Sequence, residues 1–595
     1  MKFSNIYQFI NSQVEKYGNQ AVFYERRQNT WQPITWNEFF THAVDFACGL
    51  KALGFTENNS VGVFMSNRPQ WAYADVGTII AGGISVGLYP TSSAEQCEFI
   101  INHADAEFVV VDSKDRLEKI LSIRGLLPNL KKIIWVTDEI TDDSQGITSF
   151  DKLLAIGRNQ SAECKNRVIE SATQTSAEAI AIMVYTSGTT GQPKGACLSH
   201  RYVINSAQSV VESLNLQSSD TGFSYLPFCH VAERIAGFYT RLYAGTIAYF
   251  VDDVANLYSY MLEIKPTIFA SLPRFFEKIH ARIMADVEQF PEGEQQQFIH
   301  ALQVGKILSR LQQNGEPVPQ DLFNQHQRTS QLLSEKVKQY TGGNIRMMTS
   351  GGAPLPVEIG EFFDAAGVPI LEAYGLTENV CVAFNRPAHH RFGTVGPAMV
   401  GCEIHLADDG EILVRSDMMF SGYYKEPEKT AEMFKNGWLV TGDLGELDDR
   451  GFLKITGRKK ELIITSTGKN IAPLVLENRL KEHPLISHAM IHGDGKSYLV
   501  ALITLNQIEL EEYAKIKGID FQTYSELTEN PEVRLLIQQQ VDAINLRVSS
   551  TEAIKKFVIL SHDLSLEADE ITPTLKVKRN IVTMRYKELL VSLYQ

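Results

Sequence analysis

Tyr185-Thr186-Ser187-Gly188-Thr189-Thr190-Gly191-Gln192-Pro193-Lys194-Gly195 places three glycines, five hydroxyl-bearing side chains and one lysine in eleven residues. The run before it, Ala179 to Val184, is short and apolar and reads as a buried strand. A strand feeding a Gly/Ser/Thr loop suits phosphate. Glycines let the backbone come close, N–H groups and hydroxyls point inward, and Lys194 adds a positive charge. The loop is not a Walker A sequence, which needs G-x-x-x-x-G-K-[ST], because Gly195 follows Lys194. A flexible surface turn would account for the glycines but not for the ordered hydroxyls and the Pro-Lys-Gly ending.

At 595 residues the chain exceeds one ordinary core, so several domains or subdomains are expected. Apolar content of 44% and charged content of 21% are those of a globular protein. The net charge of −14, from 56 basic and 70 acidic residues, argues against general nucleic-acid affinity. Seven cysteines lie singly, without zinc spacing, which fits a reducing cytoplasm better than a disulfide framework. The start Met1-Lys2-Phe3-Ser4-Asn5 lacks the apolar region of a signal peptide, and no run of ~18 apolar residues predicts a membrane span. The best apolar run, Val76 to Leu88, reads as a buried helix–strand junction.

Residues 1–270 alternate helical periods with short β-branched runs at Val61–Met65, Phe108–Asp112, Lys132–Val136 and Thr246–Phe250. That alternation predicts an α/β fold with helix-covered, mainly parallel sheets. Residues 281–340 are polar and Gln-rich, with Leu302, Ile307 and Leu311 near helical spacing, and predict a helical insertion on the surface. A large N-terminal domain, 1–456, is expected to give way to a small mobile α+β domain, 457–595, with strands at Ala489–His492 and Leu499–Ile503.

Four further strings carry chemistry. Ser350-Gly351-Gly352-Ala353-Pro354-Leu355 follows a strand candidate and can lay backbone flat against a planar ligand. Tyr374-Gly375-Leu376-Thr377-Glu378 combines a ring, a small residue, a hydroxyl and a carboxylate, the groups that adenine, phosphate and Mg²⁺ need. Each string alone is even odds against an ordinary turn. Asp443, in Trp438-Leu439-Val440-Thr441-Gly442-Asp443, is expected in a tight turn. His230, in Pro227-Phe228-Cys229-His230-Val231-Ala232-Glu233-Arg234, is either a site residue or a hydrogen-bonded half-buried histidine.

Residues 185–195 resemble the signature loop of the adenylate-forming superfamily of acyl-CoA synthetases, nonribosomal peptide adenylation domains and luciferases. The resemblance implies that Thr186, Ser187, Gly188, Thr189, Thr190, Gly191 and Lys194 hold phosphate. It implies that Gly351, Gly352, Ala353, Tyr374 and Gly375 hold adenine, that Thr377 meets the α-phosphate and Glu378 the magnesium. It gives the ribose to Asp443, assisted by Arg458, and the acyl and thiol channel to the His230 segment. Some members have a gating tryptophan shortly after this histidine; Glu233 and Arg234 stand there instead, and Arg234 is expected to form an ion pair or bind a headgroup. The superfamily lysine that offsets charge during adenylation falls on Lys576 or Lys578 in Thr572-Pro573-Thr574-Leu575-Lys576-Val577-Lys578-Arg579.

That string, Tyr89-Pro90-Thr91-Ser92 and Phe452 to Lys460 resemble the long-chain acyl-CoA synthetase branch. The implied function is ATP-dependent, Mg²⁺-requiring fatty acid–CoA ligation through an acyl-adenylate, with the small domain pivoting near Lys460. The implied setting is the cytoplasm, with peripheral contact at the inner membrane face and a homodimer as further expectations. The rivals are a ligase serving an acyl carrier protein or stopping at the adenylate, a medium-chain or aryl acid ligase, and a non-catalytic nucleotide-binding or membrane-docking protein. No extra insertion lies within 459–472 to block rotation, which favours CoA as acceptor.

Overall fold

A computed structural model of the chain describes residues 3–137, 146–186, 192–466, 469–572 and 576–595. Its centre is an eight-stranded sheet ordered Gly422–Tyr423, Lys194–Ser199, Ile180–Thr186, Ile84–Gly87, Ser60–Phe64, Ala106–Val111, Lys132–Trp135, Ile147–Ser149. Six of these strands run parallel, and Lys194–Ser199 and Gly422–Tyr423 are antiparallel additions at one edge. The strands are short β-branched runs separated by helices, which is the pattern that forces parallel crossover connections. The helix Pro69–Ile80 is buried from end to end and runs into the strand Ile84–Gly87, the predicted helix–strand junction. Trp36–Ala52 is started by a Thr35/Glu38 capping box and packs beside it. Burying large apolar residues such as Trp36, Phe39, Phe46, Trp71 and Ile79 in this layer stabilises it by roughly 1.5–3 kcal/mol per side chain.

Two further four-stranded sheets flank this layer, Thr221–Ser224, Ile247–Phe250, Ala21–Arg27, Thr30–Thr35 and Ile268–Ser271, Met347–Ser350, Ile370–Leu376, Asn379–Phe384. A five-stranded antiparallel sheet contains Trp438–Leu447 and Leu453–Arg458. The C-terminal part builds its own three-stranded sheet, Ile486–His492, Leu499–Leu505 and Ile554–Ile559, against helices that include Pro473–Lys481 and Pro531–Asn545. Among the described residues, the apolar clusters of the N-terminal part end at Ile455 and those of the C-terminal part begin at Ile463. No helix among them is long and apolar enough to cross a membrane.

Two expectations change. Residues 281–340 are helical, as Pro273–Glu288, Glu292–Asn314 and Gln320–Thr341, but they are not a surface appendage. Phe298, Ala301, Val304, Leu308, Leu333 and Val337 are buried, and Phe298, Ala301, Leu333 and Val337 belong to the cluster around Phe362 and Phe363. The apolar face differs from the predicted one: Ile307 is 49% exposed, because the buried stripe of this helix runs through Phe298, Ala301, Val304 and Leu308 and leaves position 307 off it. Asp443 does not sit in a tight turn. It lies inside the ten-residue strand Trp438–Leu447, beside Gly442 at φ +72°, where the pairing with Glu411–Ser416 slips register.

Candidate active site

Tyr374 lies in the outer, half-buried part of the strand Ile370–Leu376, and its hydroxyl donates to Asp443 Oδ2 at 2.6 Å. Arg458 Nε lies 3.0 Å from Asp443 Oδ1. Burial, then the neighbouring Asp443 carboxylate, push the Tyr374 phenol well above its ordinary value, so it stays a donor. Burial opposes the charge on Arg458, but Asp443, Glu461, Tyr374 and Glu378 hold its guanidinium above the ordinary range. Each Asp443 oxygen retains a second lone pair, so the carboxylate can still accept from a diol.

Thr377 and Glu378 form the turn between the antiparallel strands Ile370–Leu376 and Asn379–Phe384. Gly375 is required here, because a Cβ on it would lie 1.9 Å from the Val380 carbonyl oxygen. The buried Tyr202 braces the turn from beneath. Its hydroxyl donates to the Thr377 carbonyl at 3.0 Å and accepts from Val380 N–H at 3.0 Å. The Tyr423 hydroxyl donates to Glu378 Oε1, and Lys194 Nζ lies 4.8 Å from the centre of the Tyr423 ring. The phosphate-loop lysine and the carboxylate at 378 therefore share one aromatic neighbour. Magnesium on a nucleotide commonly takes one or two carboxylates plus phosphate oxygens. Glu378 fits that need, since Oε2 has no protein partner among the described residues.

His230 accepts the Ala232 N–H at Nδ1, 3.2 Å away, which puts the hydrogen of the neutral ring on Nε2. Burial, helped by the nearby charge of Lys576, pushes its imidazolium down to about 4, so the ring is neutral at physiological pH. Lys576 comes from the opposite side, out of the C-terminal part. Its side chain keeps solvent-accessible surface, but burial of the ammonium among the surrounding protein lowers it from the ordinary value. Arg458 lowers it further, while Asp443 and Glu461 oppose. Lys578 points elsewhere and forms an ion pair with Asp569 of its own part. Of the two candidate lysines, Lys576 is the one that shares the cleft with His230, Asp443 and Arg458.

Thr186 and Lys194 face each other as the last residue and first residue of two antiparallel strands, so a hairpin and not a strand–helix junction carries the signature loop. Ser187, Gly188, Thr189, Thr190 and Gly191 lie outside the described residues. The Gly351-Gly352-Ala353 loop runs along the strand of Tyr374, with Gly352 at φ +80° and exposed Ala353. Arg234 is buried in an ion pair with Asp75, so it reaches no headgroup. Tyr202 and Tyr423 were missed. Each reads in sequence as one more core aromatic, and only the pairing of distant strands reveals what their hydroxyls touch.

The sequence matches the AMP-binding enzyme family over residues 10–424 and the AMP-binding enzyme C-terminal domain over 460–595. It is 34% identical over 586 residues to the long-chain-fatty-acid–CoA ligase FadD15 of Mycobacterium tuberculosis, covering 96% of this chain and 94% of that one. It is 32% identical over 621 residues to the long-chain-fatty-acid–CoA ligase ACSBG2 of Homo sapiens, covering 99% and 92%. The fold is similar to the adenylation domain of a carboxylate reductase from Mycobacterium chelonae, with a TM-score of 0.76 and 21% identity, covering 99% of this chain and 91% of that chain. It is also similar to ATP-bound MatB from Rhodopseudomonas palustris, with a TM-score of 0.71 and 21% identity, covering 98% and 99%. The tyrosine–aspartate–arginine cluster, the Thr-Glu turn and the facing lysine thus sit in a chain that belongs, over nearly its whole length, to the AMP-binding enzyme family.

Proposed function

We propose that the chain is an ATP-dependent long-chain fatty acid–CoA ligase that forms acyl-CoA through an acyl-adenylate. The observation that carries this reading is the Asp443 carboxylate held by the Tyr374 hydroxyl at 2.6 Å and Arg458 Nε at 3.0 Å, with Lys576 of the C-terminal part near enough to feel Asp443 and Arg458. Full-length similarity to long-chain-fatty-acid–CoA ligases supports the substrate class.

In the first step a carboxylate oxygen of the acid attacks the α-phosphorus of ATP, and the bond to the pyrophosphate oxygen breaks. Asp443 holds the ribose hydroxyls, with Tyr374 and Arg458 fixing its orientation. Lys576, Thr377 and the glycine loop stabilise the charge spread over the transferring group. Neutral His230 offers Nε2–H to the carboxylate or phosphate without adding a charge. Glu378 would hold magnesium, which would supply positive charge at the phosphates. In the second step the CoA sulfur attacks the acyl carbon, the bond to the AMP oxygen breaks, AMP leaves with the bonding pair, and the thiol proton passes to water. Adenylation makes a good leaving group of a carboxylate oxygen, which is why ATP is consumed.

The reading includes a boundary at 456/457, a small domain that moves between steps, and a reducing cytoplasmic setting with peripheral contact at the inner membrane face. The clusters that divide between Ile455 and Ile463 support the boundary, and seven unpaired cysteines support the setting. ATP–pyrophosphate exchange dependent on palmitate, followed by CoA-dependent AMP release over a C2–C20 acid series, tests the proposal. Exchange without CoA turnover would point to a carrier-protein or adenylate-only ligase. A maximum at short or aromatic acids would remove the long-chain assignment.

A further inference from the structure

Residues 232–239 form a π-helix directly after His230. Such helices are rare, and runs beyond a single turn rarer still, so eight residues of one need outside constraint. Consecutive residues supply it in different directions. Glu233 pairs with Arg241 and accepts from Ser224 Oγ at 2.8 Å, tying the segment to the strand Thr221–Ser224. Arg234 pairs with Asp75 of the helix Pro69–Ile80 and donates to Ser85 Oγ at 2.5 Å and Ser85 O at 3.2 Å, tying it to the central sheet. Tyr239, from the far end of the π-helix, donates to the other Asp75 oxygen at 2.8 Å. Both Asp75 and Arg234 are 0% exposed. The guanidinium also lies over the Trp71 ring at 4.8 Å, and Trp71 stacks on Phe228, two residues before His230, at 4.3 Å.

A buried ion pair seldom adds stability over well-packed apolar side chains, so its use here is sought in geometry. The first residue of the clamped π-helix is Ala232, whose N–H meets His230 Nδ1. We propose that Asp75 and Arg234 are positioning residues that, through this segment, hold His230 in the tautomer with hydrogen on Nε2 and so keep a neutral donor in the cleft. Arg234 N–H also donates to the His230 carbonyl at 2.9 Å, which couples the clamp to the histidine backbone. Neither clamp residue touches the reacting groups; they act through the peptide that meets the ring.

This rests on the ligase reading only for its kinetic arm. The test uses the full chain with Asp75→Leu and Arg234→Met combined, an apolar replacement of similar bulk that leaves no lone buried charge. Three quantities are read: the melting temperature, the ¹⁵N shifts of the His230 ring (assigned by their loss in His230→Gln), and palmitate-dependent exchange. The expected result is a melting temperature within a few degrees of wild type, a His230 signal moved from the Nε2–H pattern toward a mixture, and kcat lower by roughly ten- to a hundredfold with KM for ATP unchanged. An unchanged ring signal with unchanged kcat overturns the proposal. If the double variant does not fold, Tyr239→Phe removes one donor from Asp75 and keeps the pair; the ring signal is expected to move the same way by less, and no movement overturns the proposal. If wild-type protein shows no palmitate-dependent exchange, the ligase reading fails while the ring signal still decides the clamp.

Discussion

Asp443 and Arg458 stand opposite each other on the antiparallel strands Trp438–Leu447 and Leu453–Arg458, and a 3.0 Å ion pair joins them across the ladder. With Tyr374 on the other oxygen, the carboxylate is held at a fixed angle to the cleft. Asp443→Asn keeps the size and one acceptor but loses the charge. Hydrogen bonds to a charged group are worth about 1.5–3 kcal/mol, so KM for ATP is expected to rise about ten- to a hundredfold. The Arg458 side chain is 45% exposed, so the melting temperature is expected to stay close to wild type. An unchanged KM for ATP would remove Asp443 from the nucleotide site.

Lys576→Ala and Lys578→Ala separate two residues that the sequence left equivalent. Lys576 shares the cleft with Arg458 and His230, whereas Lys578 is engaged with Asp569. Losing one electrostatic stabiliser of the adenylation transition state is expected to slow pyrophosphate release by about 10²–10³ in Lys576→Ala. Lys578→Ala is expected to stay near wild type. Single-turnover pyrophosphate release measures both, and the reverse ranking would move the adenylation role to Lys578.

The candidate site is legible in the sequence as short strings, and the structure brings Tyr374, Asp443 and Arg458 from three of them together. Local backbone need explains the glycines: Gly375 abuts Val380 O, and Gly352 has positive φ. The parallel sheet followed from β-branched runs between helices, a pattern that sequence spacing carries directly. Besides Tyr202, Tyr423 and the packing of residues 281–340, other features were not legible. The Asp443 strand hid behind Thr-Gly-Asp, which reads as a turn, because the bulge that admits Gly442 is a property of the strand paired with it. The choice between Lys576 and Lys578 depends on which face of the C-terminal part meets the large one. Asp75 and Arg234 are 159 positions apart, and a single acid in an apolar helix announces a partner without naming it.

Glu378→Gln keeps the shape and removes the charge offered to magnesium. The variant is expected to need more magnesium for half-maximal exchange, with KM for the fatty acid little changed. Tyr423→Phe frees Glu378 Oε1 from its only described donor. It is expected to shift the magnesium titration less than Glu378→Gln does. An unchanged titration in Glu378→Gln would take this residue out of the metal site.

Glu372 lies fully enclosed two residues before Tyr374, where burial raises its carboxyl to about 7 although the Leu355 and Gly393 N–H groups pull it down. The unfolded chain releases this proton near pH 4.5, whereas the folded chain keeps it until about 7. Across that window the folded state binds more protons, so the contribution of this group is greatest below about 4.5 and falls as pH rises toward 7. Glu372→Gln cannot titrate and keeps an acceptor for Leu355 N–H, 3.0 Å away in wild type. The melting temperature of wild type is therefore expected to lose ground relative to Glu372→Gln between about pH 5 and pH 7. Parallel curves for the two proteins would rule out this carboxyl as a source of pH dependence.

Lys460 sits in the short 3₁₀ turn Lys459–Glu461, between the last strand of the large sheet and the first strand of the C-terminal part. Its neighbour Lys459 is anchored to the large part by Asp409 and Glu411 at 2.5 and 2.8 Å. The proposed rotation of the small domain would therefore concentrate just after that anchor, where few residues can absorb a large change in φ and ψ. Proline fixes φ near −65°, inside the range of a 3₁₀ turn, so Lys460→Pro is compatible with the present arrangement and restricts departure from it. In that arrangement Lys576 lies near Arg458 and Asp443, the residues proposed to hold the nucleotide. Adenylation is accordingly expected to survive in Lys460→Pro while transfer of preformed acyl-adenylate to CoA falls steeply. The two halves are read apart by single-turnover pyrophosphate release and by thioester formation from supplied adenylate. Equal loss in both would mean a folding defect or a purely local role, and equal retention would place the pivot elsewhere in the chain.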